Sequence, residues 1–208
     1  MDAIKVSPSI ASADQTRIAH EIERLGDAYP NLHVDIEDGN FVPNITFGMK
    51  TVRAIRSVTR KPFSVHLMVT NPLDYVDELA GLGCSHVFVH VEGQQYLLRV
   101  LNRIRSYGAR AGIALNPVSD VRAYEYLLDA CDAVLFMTSE PDGAGEGFQE
   151  RVLGKVRAYP GVECWVDGGV TLERLAELER AGVDVAVMGR HVFGSPDPAA
   201  LLRSINGE

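Results

Sequence analysis

Leu32–His33–Val34–Asp35 is an apolar, β-type run that stops on a carboxylate, and the same kind of ending recurs three more times. Ser64–Val65–His66, His86–Val87–Phe88–Val89–His90 and Glu163–Cys164–Trp165–Val166–Asp167 each end in a side chain that can bind a divalent cation or move a proton. In a barrel of parallel strands all such ends meet at one mouth. Working outward, short apolar runs alternate with amphipathic stretches along the whole chain. Strands are expected at 4–10, 32–36, 63–69, 86–90, 110–115, 133–137, 163–167 and 183–188. Helices are expected near 14–26, 48–58, 72–82, 95–107, 119–129, 147–158, 171–181 and 198–205. Eight βα units in 208 residues predict an α/β fold, a single (β/α)8 TIM barrel with 1–208 as one domain. A doubly wound open sheet is the competing arrangement; the even count and the length favour the barrel.

Punctuation residues support these boundaries. Asn71–Pro72, Asn116–Pro117 and Thr171 mark helix starts through capping and proline chemistry. Gly26, Gly83, Gly108 and Gly182 stand where helices should end. Hydrophobic residues make up 46% and charged residues 23%, the balance of a globular protein with a sizeable core. A formal net charge of −8 argues against nucleic acid or an anionic membrane as the main partner, so an anionic substrate needs a local positive site. No apolar run approaches the ~18 residues of a membrane-spanning helix. Met1–Asp2–Ala3–Ile4–Lys5 lacks the features of a signal peptide. Cys84, Cys131 and Cys164 are odd in number and widely spaced, which points to a reducing cytoplasm; Cys164 reads as a small core residue.

His33 and Asp35 are two apart on one strand and therefore share a face. If that face lines the barrel near its mouth, one cation can take both, and His66 and Asp167 complete a set of two imidazoles and two carboxylates. Such a donor set suits one divalent ion of Zn, Fe, Mn or Co better than calcium. Any one of these residues alone also reads as a hydrogen-bonded polar group at a strand end. Asp167–Gly168–Gly169 closes the seventh strand, where glycines let backbone approach a ligand and offer N–H groups to an anion. Gly189–Arg190 follows the eighth strand, and phosphate sites in this fold use the loops after strands seven and eight. Arg190 can grip phosphate or carboxylate through two N–H donors, or lie at the surface beside an acid. The long loop Met137–Thr138–Ser139–Glu140–Pro141–Asp142–Gly143–Ala144–Gly145–Glu146–Gly147–Phe148 is rich in glycine but lacks the ending of a P-loop. Asp38 is expected to shape the turn after strand two rather than react. Met68 and Met137 at strand ends read as core residues or as a thioether wall beside a site.

Taken together, these stretches resemble the ribulose-phosphate 3-epimerase family over essentially the whole chain. The resemblance is carried by Ser7–Pro8–Ser9–Ile10, His33–Val34–Asp35, Asp38–Gly39–Asn40–Phe41–Val42–Pro43–Asn44, Val65–His66–Leu67–Met68–Val69, Asn71–Pro72, Ala114–Leu115–Asn116–Pro117, Met137–Thr138 and Val166–Asp167–Gly168–Gly169. Asp35–Ile36–Glu37–Asp38, Met137 to Gly143 and Glu163–Cys164–Trp165 look most like a divergent, SgcE-type branch. The resemblance implies a metal-dependent 3-epimerase of a ketose phosphate that works by two-base proton transfer through a metal-stabilised enediolate. It implies that His33, Asp35, His66 and Asp167 bind the metal, and that Asp35 and Asp167 are also the acid/base pair. It places Ser9, Gly168, Gly169, Gly189 and Arg190 around a sugar phosphate and implies a homo-oligomer; Met68 and Met137 at their strand ends and Gly143 and Gly145 in the glycine-rich loop are further candidates for substrate contact.

Two departures put the substrate in question more than the reaction. Glu37 stands where the family usually has methionine and can contact a substrate hydroxyl; Asp142–Gly143–Ala144–Gly145–Glu146 replaces the usual phosphate loop with two added acids. Ribulose 5-phosphate, xylulose 5-phosphate and allulose 6-phosphate are therefore all in range. A phosphosugar decarboxylase or aldolase is the nearest rival, but Lys5, Lys50, Lys61 and Lys155 all fall away from the C-terminal ends of the expected strands. A non-catalytic sugar-phosphate-binding protein is the other alternative, and it has no need of two acids.

Overall fold

The computed structural model describes residues 3–141, 147–158 and 161–207. Its strands are β1 (Lys5–Pro8), β2 (Leu32–Glu37), β3 (Phe63–Met68), β4 (Cys84–His90), β5 (Arg110–Leu115), β6 (Ala133–Met137), β7 (Glu163–Asp167) and β8 (Val185–Met188). All pair in parallel in the order β1-β8-β7-β6-β5-β4-β3-β2. A parallel bridge between Ser9 and His33 joins β1 to β2 and completes the ring. The helices are α1 (Ile18–Arg24), α2 (Met49–Val58), α3 (Leu73–Ala80), α4 (Leu97–Ser106), α5 (Leu153–Ala158), α6 (Leu175–Ala181), α7 (Arg190–Phe193) and α8 (Pro198–Asn206). The (β/α)8 TIM barrel read from the sequence is the fold.

Strands covered on both faces need near-continuous apolar runs, and β2 and β3 are buried at every residue. Alternate side chains face outward onto the helices, where Val34, Ile36, Val65 and Leu67 join Leu101, Leu178 and Leu202 in one core. The other set faces the axis. There Phe88, Leu135, Met137, Trp165 and Val187 form a second, inner core that plugs the barrel beneath its mouth. Gly112 exists for that plug: a Cβ on it would lie 2.5 Å from Phe88 Cε1, inside van der Waals contact.

Several boundaries differ from the sequence reading. β1 ends at Pro8 because residues Ile10–Ser12 coil into a 3-10 turn. β8 begins at Val185 because Gly182, at φ +89, closes α6 and the Val183 N–H is taken by Leu178 O. The expected α-helix at 119–129 is instead a 3-10 helix, Val121–Ala130, capped by Asp120 accepting from Arg122 N–H. Asn116–Pro117 therefore opens no helix, and the Asn116 N–H is used elsewhere. A short helix that the sequence did not announce, α7, follows β8 directly. Gly26, Gly83, Gly108 and Gly182 all take positive φ after helices, as expected. Cys164 is a buried core thiol, pushed up to about 12 by burial.

A candidate metal centre at the barrel mouth

Strand periodicity places His33, Asp35 and Glu37 of β2, His66 and Met68 of β3, Met137 of β6 and Asp167 of β7 on the axis side of the ring. Register does the rest: Asp35 pairs with His66, and Met137 pairs with Asp167. His33 Nε2 lies 3.3 Å from Asp35 Oδ1 and 3.8 Å from Asp167 Oδ2. His66 Nδ1 lies 3.3 Å from Asp35 Oδ1 and 3.6 Å from Asp167 Oδ2. One donor atom from each of the four residues fits within 4.8 Å of all the others.

This donor set fits a divalent cation. His33 Nε2, Asp35 Oδ1 and His66 Nδ1 are buried and have no hydrogen-bond partner, a costly arrangement unless something else is bound among them. The opposite atom of each group is occupied. Ser9 hydroxyl donates to Asp35 Oδ2 at 2.6 Å. His33 Nδ1 meets Ser64 Oγ at 2.9 Å, and Ser64 Oγ donates to Asn31 Oδ1 at 2.7 Å. His66 Nε2 meets His90 Nε2 at 2.9 Å. Each residue is thus turned so that one lone pair faces a common point, as nitrogen and oxygen ligands of Zn, Fe, Mn or Co require.

The electrostatics of the cluster agree. Burial opposes the charge on Asp35, but the imidazoles of His33 and His66 beside it hold its carboxyl well below the usual range. Burial also opposes charge on His66, yet the carboxylates of Asp167 and Asp35 raise it to about 9. Burial lowers His90 to about 4 against the pull of Glu92. Two acids pulling one buried imidazole upward mark a pocket built for positive charge.

Above the cluster opens a cavity of about 660 Å³. Ser9, Glu37, Met68, Met137, Gly168, Gly169, Gly189 and Arg190 all line it with Asp35 and Asp167. Gly143 and Gly145 lie outside the described residues. Gly168 and Gly169 carry φ +110 and +65, and the chain they admit is the protein's own: a Cβ on Gly168 would lie 2.6 Å from Ser139 N, and one on Gly169 3.2 Å from Phe148 N. Thr138 fastens that contact, its N–H donating to Asp167 O at 2.6 Å and its hydroxyl to the carbonyls of Asp167 and Gly168. Asp38 shapes its turn as expected, accepting from the N–H groups of Asn40, Phe41 and Thr70.

Sequence reasoning passed over Asn44, Thr46, Ser12, Ser139, Thr171 and His191, which also line the cavity. Asn44 Nδ2 donates to Glu37 Oε2 at 2.6 Å, and Thr46 hydroxyl donates to Asp35 O at 2.7 Å while accepting from Glu37 N–H. Asn44 and Ser139 stood within quoted stretches and Thr171 was read only as a helix start, whereas Thr46, Ser12 and His191 carried no signal beyond being polar.

The ribulose-phosphate 3 epimerase family profile matches residues 5–193 of this chain, a span that includes the four ligand candidates. The chain belongs to that family. Ribulose-phosphate 3-epimerase of Synechocystis sp. is 39% identical over an alignment covering 97% of this chain and 93% of the relative. The Bacillus subtilis protein of the same name is 36% identical, covering 98% and 99%. Both relatives are named as epimerases, and family membership makes this chain an enzyme of that class, an isomerase. In fold alone the barrel resembles 3-hexulose-6-phosphate synthase from Salmonella typhimurium, with TM-score 0.74, 16% identity and coverage of 98% and 97%.

Proposed function

We propose that the protein is a divalent-metal-dependent 3-epimerase of a ketose phosphate. One observation carries this reading within the family: two buried imidazole lone pairs and two carboxylates converge at the floor of a cavity large enough for a sugar phosphate. His33, Asp35, His66 and Asp167 would hold the cation. When bound there, it supplies Lewis-acid stabilisation of the negative charge that a substrate carbonyl gathers as a neighbouring proton leaves. A carboxylate needs that help, because such a proton is only weakly acidic.

The protein's own groups then divide the work. Asp35 and Asp167 come from β2 and β7, which β1 and β8 separate around the ring. One carboxylate takes the proton from C3 on one face of the sugar. The other carboxyl returns a proton to the opposite face, and the centre is inverted. Ser9 fixes Asp35 by its hydrogen bond, so that the free oxygen keeps one direction. Met68 and Met137, both nearly fully buried, wall the reacting carbon from water.

The phosphate end of the substrate lies toward Gly168, Gly169, Gly189 and Arg190. Arg190 is the cationic side chain among the described lining residues, and its charge offsets the acids Asp35, Glu37, Glu140 and Asp167. Glu37, held by Asn44, is placed to accept from a sugar hydroxyl and so to select among ketoses. The decarboxylase and aldolase alternatives lack their lysine: Lys5 opens β1, and Lys155 lies on α5 with its ammonium donating to Pro117 O. A homo-oligomeric state belongs to this proposal by resemblance, and a cytoplasmic location by the three widely spaced cysteines; among the described residues no helix is long and apolar enough to cross a membrane.

The test is C3 proton exchange. Metal-loaded protein is incubated with ribulose 5-phosphate and with allulose 6-phosphate in D2O, and C3 is followed by NMR. Deuterium at C3 together with the C3 epimer is expected for one of them. Binding of both sugars without exchange would replace the enzyme reading with that of a sugar-phosphate-binding protein.

A further inference from the structure

His66 does not stand alone behind the cluster. Its Nε2 meets His90 Nε2 at 2.9 Å, the two rings stack with centroids 4.9 Å apart, and His90 Nδ1 meets Glu92 Oε2 at 2.8 Å. Glu92 is itself anchored, its Oε1 accepting from Asn116 N–H at 2.8 Å and from the Ser119 hydroxyl. Phe41 packs on the outer face of His90 at 4.7 Å between ring centroids. His66 is wholly buried and His90 is 1% exposed, so neither ring can exchange these partners for water.

The direction of every hydrogen bond in this chain follows from its far end. A carboxylate only accepts. Glu92 therefore requires the N–H of His90 on Nδ1, which leaves His90 Nε2 as an acceptor. His66 must then carry an N–H on Nε2, which leaves Nδ1 as the nitrogen turned toward Asp35 and Asp167 and open to a cation. The reverse assignment would point a His90 lone pair at the Glu92 carboxylate. We propose that His90 and Glu92 are positioning residues that select the tautomer and ring angle of His66 and so prepare Nδ1 as a metal ligand. The inference rests on the metal-centre reading above and adds to it two residues behind one ligand. His33 is backed differently, by the neutral Ser64 hydroxyl and Asn31. The carboxylate-backed chain therefore gives His66 the stronger orientation, since a charged acceptor holds its donor more tightly.

The test uses Co2+ as the probe on the full chain, with affinity read by chelator competition and ligand geometry by the visible absorption of the bound ion. His90→Leu removes the acceptor at similar volume, His90→Gln returns an amide oxygen near the Nε2 position, and Glu92→Gln keeps shape while letting His90 take either tautomer. Loss of an outer partner of a metal-bound histidine weakens binding about 10–100-fold. His90→Leu is expected to fall in that range with an altered cobalt spectrum. His90→Gln is expected to recover most of the affinity, and Glu92→Gln to fall between. Metal-free melting temperatures of His90→Gln and Glu92→Gln are expected to stay close to the wild type, which separates orientation from general stability. If His90→Leu fails to fold, Glu92→Gln decides. Wild-type affinity and an unchanged spectrum in Glu92→Gln or in folded His90→Leu would overturn the proposal. His66→Ala is the control for the site itself. If the wild type binds no Co2+, or His66→Ala binds as well as the wild type, the metal-centre reading fails and the positioning inference falls with it.

Discussion

Gly168→Ala tests whether the turn that follows β7 is shaped by the chain packed against it. Gly168 has φ +110, a conformation that L-residues rarely adopt and that costs them about 1–3 kcal/mol. A methyl group there would overlap the Ser139 hydroxyl and lie 2.6 Å from Ser139 N. The backbone nitrogen cannot rotate away as a side chain can, and overpacking of this kind costs about 1–3 kcal/mol. One backbone shift relieves part of both effects, so about 2–4 kcal/mol is the expected loss, or roughly 4–16 °C in Tm for a chain of this size. The same shift reaches the cluster. Thr138 bonds the carbonyls of both Asp167 and Gly168, so parting Ser139 from Gly168 drags Asp167 off its position. Displacement of a reacting group by an ångström costs about 100-fold in rate, and kcat for C3 exchange should fall by that order while the enzyme remains folded. The assay is a thermal melt followed by C3 exchange at a temperature well below both melts. Gly154→Ala is the control: it lies in α5 with nothing within 4 Å of its would-be Cβ, and a gain of about 0.5–1 kcal/mol is expected there. Wild-type melting and wild-type exchange in Gly168→Ala would refute the packing argument.

Chelation should abolish C3 exchange, and Zn2+, Mn2+, Co2+ or Fe2+ should restore it. Because only the folded cluster offers all four ligands, metal at 100 times its Kd should stabilise the protein by about 2.7 kcal/mol, read as a rise in Tm; a melt indifferent to metal would contradict the site. Glu37→Gln should lower kcat/KM for the preferred ketose phosphate by about 10–100-fold, the cost of a charged hydrogen bond, and should flatten the ranking across a panel of ketose phosphates; an unchanged ranking would remove Glu37 from substrate selection. Asp38 is held at about 2, since the N–H groups of Thr70, Phe41 and Asn40 outweigh the upward effect of burial. A depressed carboxyl stabilises the fold above its unfolded pKa and loses that contribution as pH falls through the folded one. Asp38→Asn should thus be less stable than the wild type at neutral pH, with the gap closing between pH 4 and pH 2 in acid melts.

Most of the fold was legible because both of its periods are. β5, β6 and β7 fall where the apolar runs placed them, since a strand covered on both faces has little choice of residue. The misses occur where local hydrogen bonding outranks the pattern. Val183 reads as the start of a strand, yet its N–H belongs to the end of α6. Residues 121–130 show an amphipathic spacing that suits either a 3.6 or a 3.0 period, and Asp120 starts them as a 3-10 helix. The four residues of α7 are too few to leave any periodic trace.

The site was legible as a set of residue types and opaque as a set of directions. Period-2 spacing alone puts His33, Asp35 and Glu37 on one face, and barrel closure brings His66 and Asp167 to them. Nothing in that spacing says which nitrogen of His33 or His66 faces inward. Ser64 and the neighbouring Asn31 decide it for His33, and His90 and Glu92 for His66; all but Asn31 come from strands and loops farther along the chain. His90 was visible from the start as one of four polar strand ends, but it faces the back of a ligand rather than the common point, a distinction that only register and side-chain angle can draw. Identity of ligand type is therefore a weaker constraint on such a centre than the network behind it. Substitutions at Glu92 or Ser119, neither of which is among the four proposed ligands, are where the metal affinity proposed for this chain would be retuned without changing the ligand set itself.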